Sequence, residues 1–403
     1  MDKSKHLAVE FALEWTSAHA THTERHFLDK VNLWRDVLPG SLGEAMAEVG
    51  EGESARQAFG AGEVVAAHDQ GQIRTISLSR LHASCGPARC LPLRQGRFYP
   101  RGLFAEPLST CSQDRHPLRC LDLEPEAARL DLNHPLANYP VSLQATVLER
   151  RQAGEEHGGR CNDLAQIMTD AGAGLQVPVP GKPTDFYSGA PFERSDNRGD
   201  AVFYQSPRFV NHLDATAMDE VKTLYSRFLR PGMKVLDLMS SWKSHLPEPL
   251  ELEVVGLGLN REELEKNPRL SDLLVHDLNA EPHLPFDTAT FDAAVCTVSV
   301  EYLTQPLAVF AEVARVLRPG APFVVTFSDR WFPPKVIRLW QELHPFERVG
   351  LVLDYFIRTG RFQSLGTESV RGLPRPADDQ YVRHTFYSDP VYAVWGGTSG
   401  PVS

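Results

Sequence analysis

Two rhythms of apolar residues divide the chain. From residue 1 to about 150, apolar and polar positions alternate in short runs: LAVEFALEW (7–15), GEVVAAHD (62–69), IRTISLSRL (73–81), LRCLDLE (118–124) and VSLQATVLE (141–149). A period of two places successive side chains on opposite faces, so these runs predict antiparallel strands with one wet face. One helix is predicted there, in GSLGEAMAEVG (40–50), with Ser41 as N-cap, Glu44 as its capping-box partner and Gly50 closing the end. From about 208 onward the rhythm changes. KVLDLM, LEVVGLGL, LLVHDL, FDAAVCTVSV and PFVVTFS are continuous apolar runs, buried on both faces, and AMDEVKTLYSRFL, NREELEKN and PLAVFAEVARVL between them are helical. Strands alternating with helices predict an α/β domain with a parallel, doubly wound sheet. Residues 152–207 are crowded with Gly, Pro and charge and read as a connector, in which only NDLAQIMTDAG is helical. The aromatics of PTDFYSGAPF predict that part of it packs on a domain surface.

Composition narrows the class. The 403 residues suit two to three domains, and no apolar run approaches the ~18 residues of a membrane span. The first residues contain no uninterrupted apolar stretch of the secretory kind, so a cytoplasmic location is expected. Six cysteines are too sparse for a disulfide scaffold, and the tightest pair, Cys85 and Cys90, lacks the spacing of a zinc or redox motif. A formal charge of -11 argues against a general nucleic-acid binder, which needs clustered Lys and Arg, although a local patch is still compatible with an RNA substrate.

FDAAVCTVSVEYLTQPLAVFAEVARVLRPGAPFVVTFS, residues 291–328, carries more specific information. It resembles the fourth strand, following helix and fifth strand of the class I S-adenosylmethionine-dependent methyltransferases, and the likeness extends over about 208–397. The resemblance implies a Rossmann-like domain and S-adenosyl-L-methionine as cofactor, bound outside the carboxyl ends of the strands. Carried over residue by residue, it places Asp237 at the end of the first strand with Leu238 beside it, and Met239, Ser240, Ser241 and Lys243 in the loop that follows. The family has glycines in that loop, and a Cβ disfavours positive φ there. The acid that binds the ribose in the family is replaced by Gly258, with Asn260 near it. Asp277 and Leu278 match the adenine side, and Thr297, Val298 and Ser299 match the methionine side. SSWKSH (240–245) offers hydroxyls, a cation and an imidazole that can hold a carboxylate. The bland alternative makes Asp237 a turn residue and Trp242 the lid of an emptied cleft.

Methyl transfer requires an aligned nucleophile, and a base only where the acceptor must lose a proton. Glu301 and Tyr302 follow the fourth strand and are the catalytic candidates, together with His212, which stands near Asp214 before the first strand. Each has a structural alternative: Tyr302 as packing, Glu301 as a helix start, Asp214 as a helix cap. SDRWFPPK (328–335) is expected to form an acceptor-binding wall or to anchor the next helix.

In the first half, DLNHPLANYPVSLQATVLERR (131–151) resembles the end of FKBP-type peptidyl-prolyl isomerases that carry an inserted flap. Asn133, His134, Leu136 and Ala137 match its turn, and Asn138 replaces a glycine in what is expected to be a left-handed position. VLPGSLGEAMAEVGEGESARQAF (37–59) looks like that family's pocket-floor helix and turn. The resemblance implies an α+β FKBP-like antiparallel domain over 1–151, with a flap at about 73–129 and a groove that takes a proline-containing peptide. The catalytic parts depart from the family: Leu143 stands where an aromatic is expected, and GAGEVVAAH replaces the A-Y-G loop.

The expected protein is therefore an FKBP-like domain, a connector over 152–207 and a class I methyltransferase-like domain over 208–397, acting on a protein or small-molecule acceptor. Two alternatives stay open: a non-catalytic adaptor or chaperone with a degenerate methyltransferase fold, and a peptidyl-prolyl isomerase.

Overall fold

The computed structural model describes residues 5–79, 92–152 and 161–399; Cys85 and Cys90 lie outside them. The described residues form two compact units. The first holds those up to Ala18, from Thr23 to Gly189 and from Leu343 to Gly350; the second holds His19–His22, Ala190–Glu342 and those from Leu351 on. The expected connector is thus divided, with residues up to Gly189 in the first unit and Ala190 onward in the second.

The first unit is built on antiparallel pairing of β1 (Lys5–Thr16) with β8 (Val141–Gln152) and of β8 with β3 (Ser54–Phe59), while β2 (Ala20–Asn32) lies on the other side of β1. Leu7, Val9, Phe11, Leu13 and Trp15 alternate along β1 and are all buried. They meet Leu143, Ala145 and Val147 of β8 and Leu42 and Met46 of the helix α1 (Leu42–Glu48). Fully burying side chains of this size stabilises by roughly 1.5–3 kcal/mol each, which is why the alternation was so readable. A second sheet, in the order β4 (Ile73–Ser77), β7 (Ala127–Asp131), β6 (Pro117–Leu123), β5 (Phe98–Pro100), encloses its own core of Ile76, Tyr99, Phe104, Leu118 and Leu130.

Several sequence expectations differ from this unit. GEVVAAHD forms turns, because Val64 and Val65 pack on the core singly rather than in a ladder. Ser41 makes no capping bond to α1; its hydroxyl donates to Gln57 Oε1 at 3.3 Å, and Gly50 N–H goes to Glu53. Asn138 is not among the residues with positive φ. β2 carries no apolar alternation in the sequence, because its inward positions include the buried polar groups His22 and Glu24. Glu24 is satisfied by Gln176 Nε2 at 2.6 Å.

In the second unit five parallel strands, β11 (Asp272–Val275), β10 (Glu253–Gly258), β9 (Lys234–Leu238), β12 (Ala293–Thr297) and β13 (Pro322–Phe327), lie side by side in that order. They are followed by the antiparallel β15 (Val391–Thr398) and β14 (Phe362–Arg371). Numbered from β9 within this unit, the order is 3-2-1-4-5-7-6. Helix α2 (Ala215–Ser226) is capped by Asp214, which accepts from Ala217 N at 3.1 Å, and buries Ala217, Val221 and Tyr225. The helix over Pro306–Val316 opens on a proline at its first position, where the missing N–H costs nothing. Gly320, at φ +79, makes the turn into β13 that a side chain would strain.

Candidate functional site

The site grows from the ends of the parallel strands. β9 ends with Asp237 and Leu238 on opposite faces, and Leu238 is consequently buried in the sheet core away from the cavity described below. Asp237 Oδ2 accepts from Ser240 Oγ at 2.7 Å and Ser244 Oγ at 2.5 Å. Burial pushes its carboxyl up from the usual range, and the two hydroxyls pull against that rise. The acid therefore folds the next loop back on the strand. Met239 adopts φ 57°, the left-handed conformation that costs a side-chain-bearing residue about 1–2 kcal/mol. Loop 239–245 tolerates this because Ser240 N donates to Leu257 O at 2.7 Å and both serines grip Asp237.

The same contact explains Gly258. A Cβ on that residue would stand 2.2 Å from the Ser240 carbonyl oxygen and 3.2 Å from Leu264. No acid fits at this strand end, and the two departures from the family are a single packing arrangement. Asn260 is also committed elsewhere. Its Oδ1 caps the short helix Arg261–Glu265 by accepting from Glu263 N, and its Nδ2 donates to the carbonyls of Tyr204 and Gln205. A carboxylate that does reach the cavity after β10 belongs to Glu263, which is buried, with Oε1 accepting from Arg208 N and Oε2 from Ser241 Oγ, both at 2.6 Å.

After β11, Asp277 Oδ1 accepts from the amides of Asn279 and Ala280, a turn that fixes the carboxylate at the cavity wall beside buried Leu278. After β12, Thr297 Oγ1 meets Tyr225 O–H at 2.6 Å and Val298 takes φ 42°. These loops surround a cavity of about 370 Å³. Asp237, Met239, Ser240, Ser241, Lys243, Asn260, Asp277, Leu278, Thr297 and Val298 all line it, as do His212 and Tyr302. Glu301 does not: Val300–Tyr302 form a tight helical turn buried throughout, and the Glu301 side chain is 1% exposed behind the wall. Trp242 also turns away, its indole N–H donating to Val210 O and its ring meeting Phe209 edge-on.

Asp214, expected near His212, is occupied by its own helix, by Ser388 and Asp389, and by an ion pair with Arg375 at 3.4 Å. His212 instead packs edge-on against Phe332, and burial lowers its pKa, opposed by Glu263. Tyr302 Oη accepts from Phe332 N–H at 2.8 Å, and burial with Glu301 and Tyr204 nearby pushes its ionisation far up, so it is a neutral hydrogen-bonding group. His245 is buried against the cavity, with Nδ1 lacking a hydrogen-bond partner among the described residues. Burial, then Lys243, His212 and Lys222, lower its pKa to about 4. Because the folded value lies below the ordinary 6.5 of a histidine, the unfolded chain takes the proton first as pH falls. Stability from this group is complete above about pH 6.5 and is lost towards pH 4, on the order of 3 kcal/mol. Urea denaturation across that window should show a shallower pH slope for His245→Gln than for the wild type; equal slopes reject the assignment.

Residues ahead of α2 supply part of the wall. Asp200, Tyr204 and Arg208 line the cavity. Asp200 pairs with Arg194 at 2.8 Å and with fully buried Lys335 at 3.0 Å, and accepts from Asn279 Nδ2 at 2.8 Å. Burial would raise its pKa, but the bonds from Arg194, Asn279 and Lys335 outweigh this and hold it below the usual value. Arg208 stacks on Phe203, and Phe332 from the loop after β13 stands 5.3 Å from its guanidinium carbon. Gly- and Pro-rich composition hid these residues; the aromatic cluster in FYQSPRF was the available signal.

The strand order with its one reversed strand, β15, and a cavity at the carboxyl ends around a switch between β9 and β12, are those of a nucleoside-binding α/β sheet. A family model described as a methyltransferase domain matches residues 243–325. The chain is 28% identical over 163 residues to the ubiquinone/menaquinone biosynthesis C-methyltransferase UbiE of Laribacter hongkongensis, covering 38% of this chain and 65% of that protein. It is 28% identical over 132 residues to sterol methyltransferase-like 2 of Botryococcus braunii, covering 30% of this chain and 34% of that one. The chain thus spans less than two thirds of the length of these relatives. Among solved structures, an S-adenosylmethionine-dependent methyltransferase from Mesorhizobium loti matches at 17% identity and a TM-score of 0.31, over 44% of this chain and 97% of that one. A putative methyltransferase complex with the Trm112 activator from Haloferax volcanii matches at 18% and 0.33, over 46% and 91%. The second unit contains a Rossmann-like class I methyltransferase domain, and S-adenosyl-L-methionine is its cofactor.

Proposed function

We propose that the chain is a methyltransferase that uses the second-unit cavity for both cofactor and acceptor. The observation that carries this reading is that the loops after all four of β9, β10, β11 and β12 still converge on one cavity although the glycines and the ribose acid are gone. Asp277 and Leu278 would hold the adenine, with Glu263 as the nearest acid to the ribose side and Ser241 and Lys243 on the methionine side. When bound, S-adenosylmethionine supplies an electrophilic methyl group. Tyr302 and His212 stand on the acceptor side as uncharged groups that orient a nucleophile, and the aromatic wall excludes water. Buried Glu301 acts on that wall only through its neighbours.

Calorimetry with S-adenosylhomocysteine tests the reading: binding is expected, and Asp277→Ala should weaken it by about 1–3 kcal/mol through a lost hydrogen bond to the base. Absence of heat with folded protein removes the enzyme and leaves the adaptor alternative. For the first unit, the reading is an FKBP-like peptide-binding module. It is favoured by a separate cavity of about 560 Å³ there, walled by Val64, Val65, Leu132, His134 and Pro135, and by buried Trp15 against Tyr139. Acceleration of a proline-limited refolding reaction by the full chain would extend that reading to isomerase activity.

A further inference from the structure

Arg208 has a hydrogen-bonding capacity that the protein leaves unused. Its Nη2 donates to Phe203 O at 3.0 Å, whereas its buried Nη1 has no partner among the described residues. A buried donor left unpaired is costly, and one on a guanidinium more so. Arg208 lines the cavity, and its guanidinium carbon lies 4.3 Å from the Phe203 ring centre, 5.3 Å from that of Phe332 and 5.6 Å from that of Tyr204. Phe332 in turn stacks on Tyr302 and meets His212 edge-on. The neighbouring acids are engaged elsewhere: Asp200 by Arg194 and Lys335, Glu263 by Ser241 and the Arg208 backbone. The guanidinium is therefore bordered by a box of flat rings in the cavity wall, Phe332 coming from the loop after β13 and Tyr204 being held by its carbonyl to Asn260 Nδ2 beyond β10.

We propose that this box binds a small planar aromatic acceptor bearing a carboxylate, its ring among Tyr204, Tyr302 and Phe332 and its carboxylate oxygen on Arg208 Nη1. Aromatic faces select a flat ring, and the lone donor selects an anionic oxygen through a charge-assisted hydrogen bond. The inference rests on the methyltransferase reading and specifies its substrate class.

The test uses the full chain saturated with S-adenosylhomocysteine and three probes, benzoate, benzamide and cyclohexanecarboxylate, titrated by ligand-observed NMR. Benzoate is expected to bind about tenfold more tightly than either of the others, the factor that one charged hydrogen bond or one stacked ring supplies. Arg208→Gln should erase the preference over benzamide, with S-adenosylhomocysteine affinity retained within about threefold, which also reports that the variant is folded. Arg208→Lys, which keeps the charge, should retain part of the preference. Equal binding of benzoate and benzamide, or no benzoate binding, overturns the proposal while leaving the cofactor reading intact. A loss of cofactor affinity beyond about threefold in both variants assigns Arg208 to the cofactor and overturns it too. No S-adenosylhomocysteine binding by the wild type removes the methyltransferase reading, and this proposal with it.

Discussion

Gly258→Asp, which installs the acid that the family carries at this strand end, should weaken the protein rather than improve it. The new Cβ would lie 2.2 Å from a backbone carbonyl, that of Ser240, which cannot rotate away as a side chain would. Loop 239–245 must then lift off β10, losing the 2.7 Å bond from Ser240 N to Leu257 O and straining both serine contacts with Asp237. Overpacking of this kind costs about 1–3 kcal/mol, and the bond lost with it about 1 kcal/mol more. S-adenosylhomocysteine affinity should fall as well, because Ser241 and Lys243 belong to the displaced loop. Thermal unfolding with and without the ligand reads both effects. A variant as stable as the wild type, binding more tightly, would show that the loop does not pack on the strand as described.

A second large effect is expected from Lys335→Met. Lys335 is fully buried, with Nζ donating to the carbonyls of Asp196 and Arg198 and pairing with Asp200 at 3.0 Å. Methionine preserves most of the volume but leaves Asp200 with Arg194 as its single cation among the described residues, and two carbonyls without the Lys335 donor. Removing one member of a buried charge network costs roughly 3–5 kcal/mol, against less than about 1 kcal/mol for an exposed pair. Chemical denaturation measures the loss, and the double variant Asp200→Asn with Lys335→Met should recover part of it. A cost below about 1 kcal/mol would mean that the network is solvated in solution.

How legible the protein was depended on what kind of force shapes each part. β1, β8 and the parallel strands were readable because burial of Leu, Val and Phe at period two, or in unbroken runs, dominates their stability. β2 was not, since Glu24 lies inside and is paid for by Gln176, a contact 152 positions away. The cavity wall followed the same division. Asp237, Asp277 and Thr297 sit at strand ends, where the chain's own rhythm points to them. Leu238 is one position from Asp237, which in a strand reverses the face and turns it from the cavity into the core. Glu301 follows β12 as a cavity residue would, but the turn that carries it buries all its members and keeps it out of the lining. Arg208, Asp200 and Lys335 acquire meaning only from long-range partners, and no local pattern marks a residue whose role is set by a carboxylate elsewhere in the chain. Asn260 shows the converse: its type suited a ribose, but capping the next helix and holding Tyr204 used both ends of its amide.

The contact between Ser240 and Gly258 also has a historical side. An acid at 258 and this form of loop 239–245 exclude one another, so neither can have changed far ahead of the other without a poorly folded intermediate. Homologous sequences should accordingly sort into two groups, one with a glycine-rich loop and an acid at the position of Gly258, the other with a side-chain-bearing loop and glycine there. Hybrids of the two should be scarce. A single residue at the end of β10 then serves as a marker for which branch of such sequences a newly read chain belongs to.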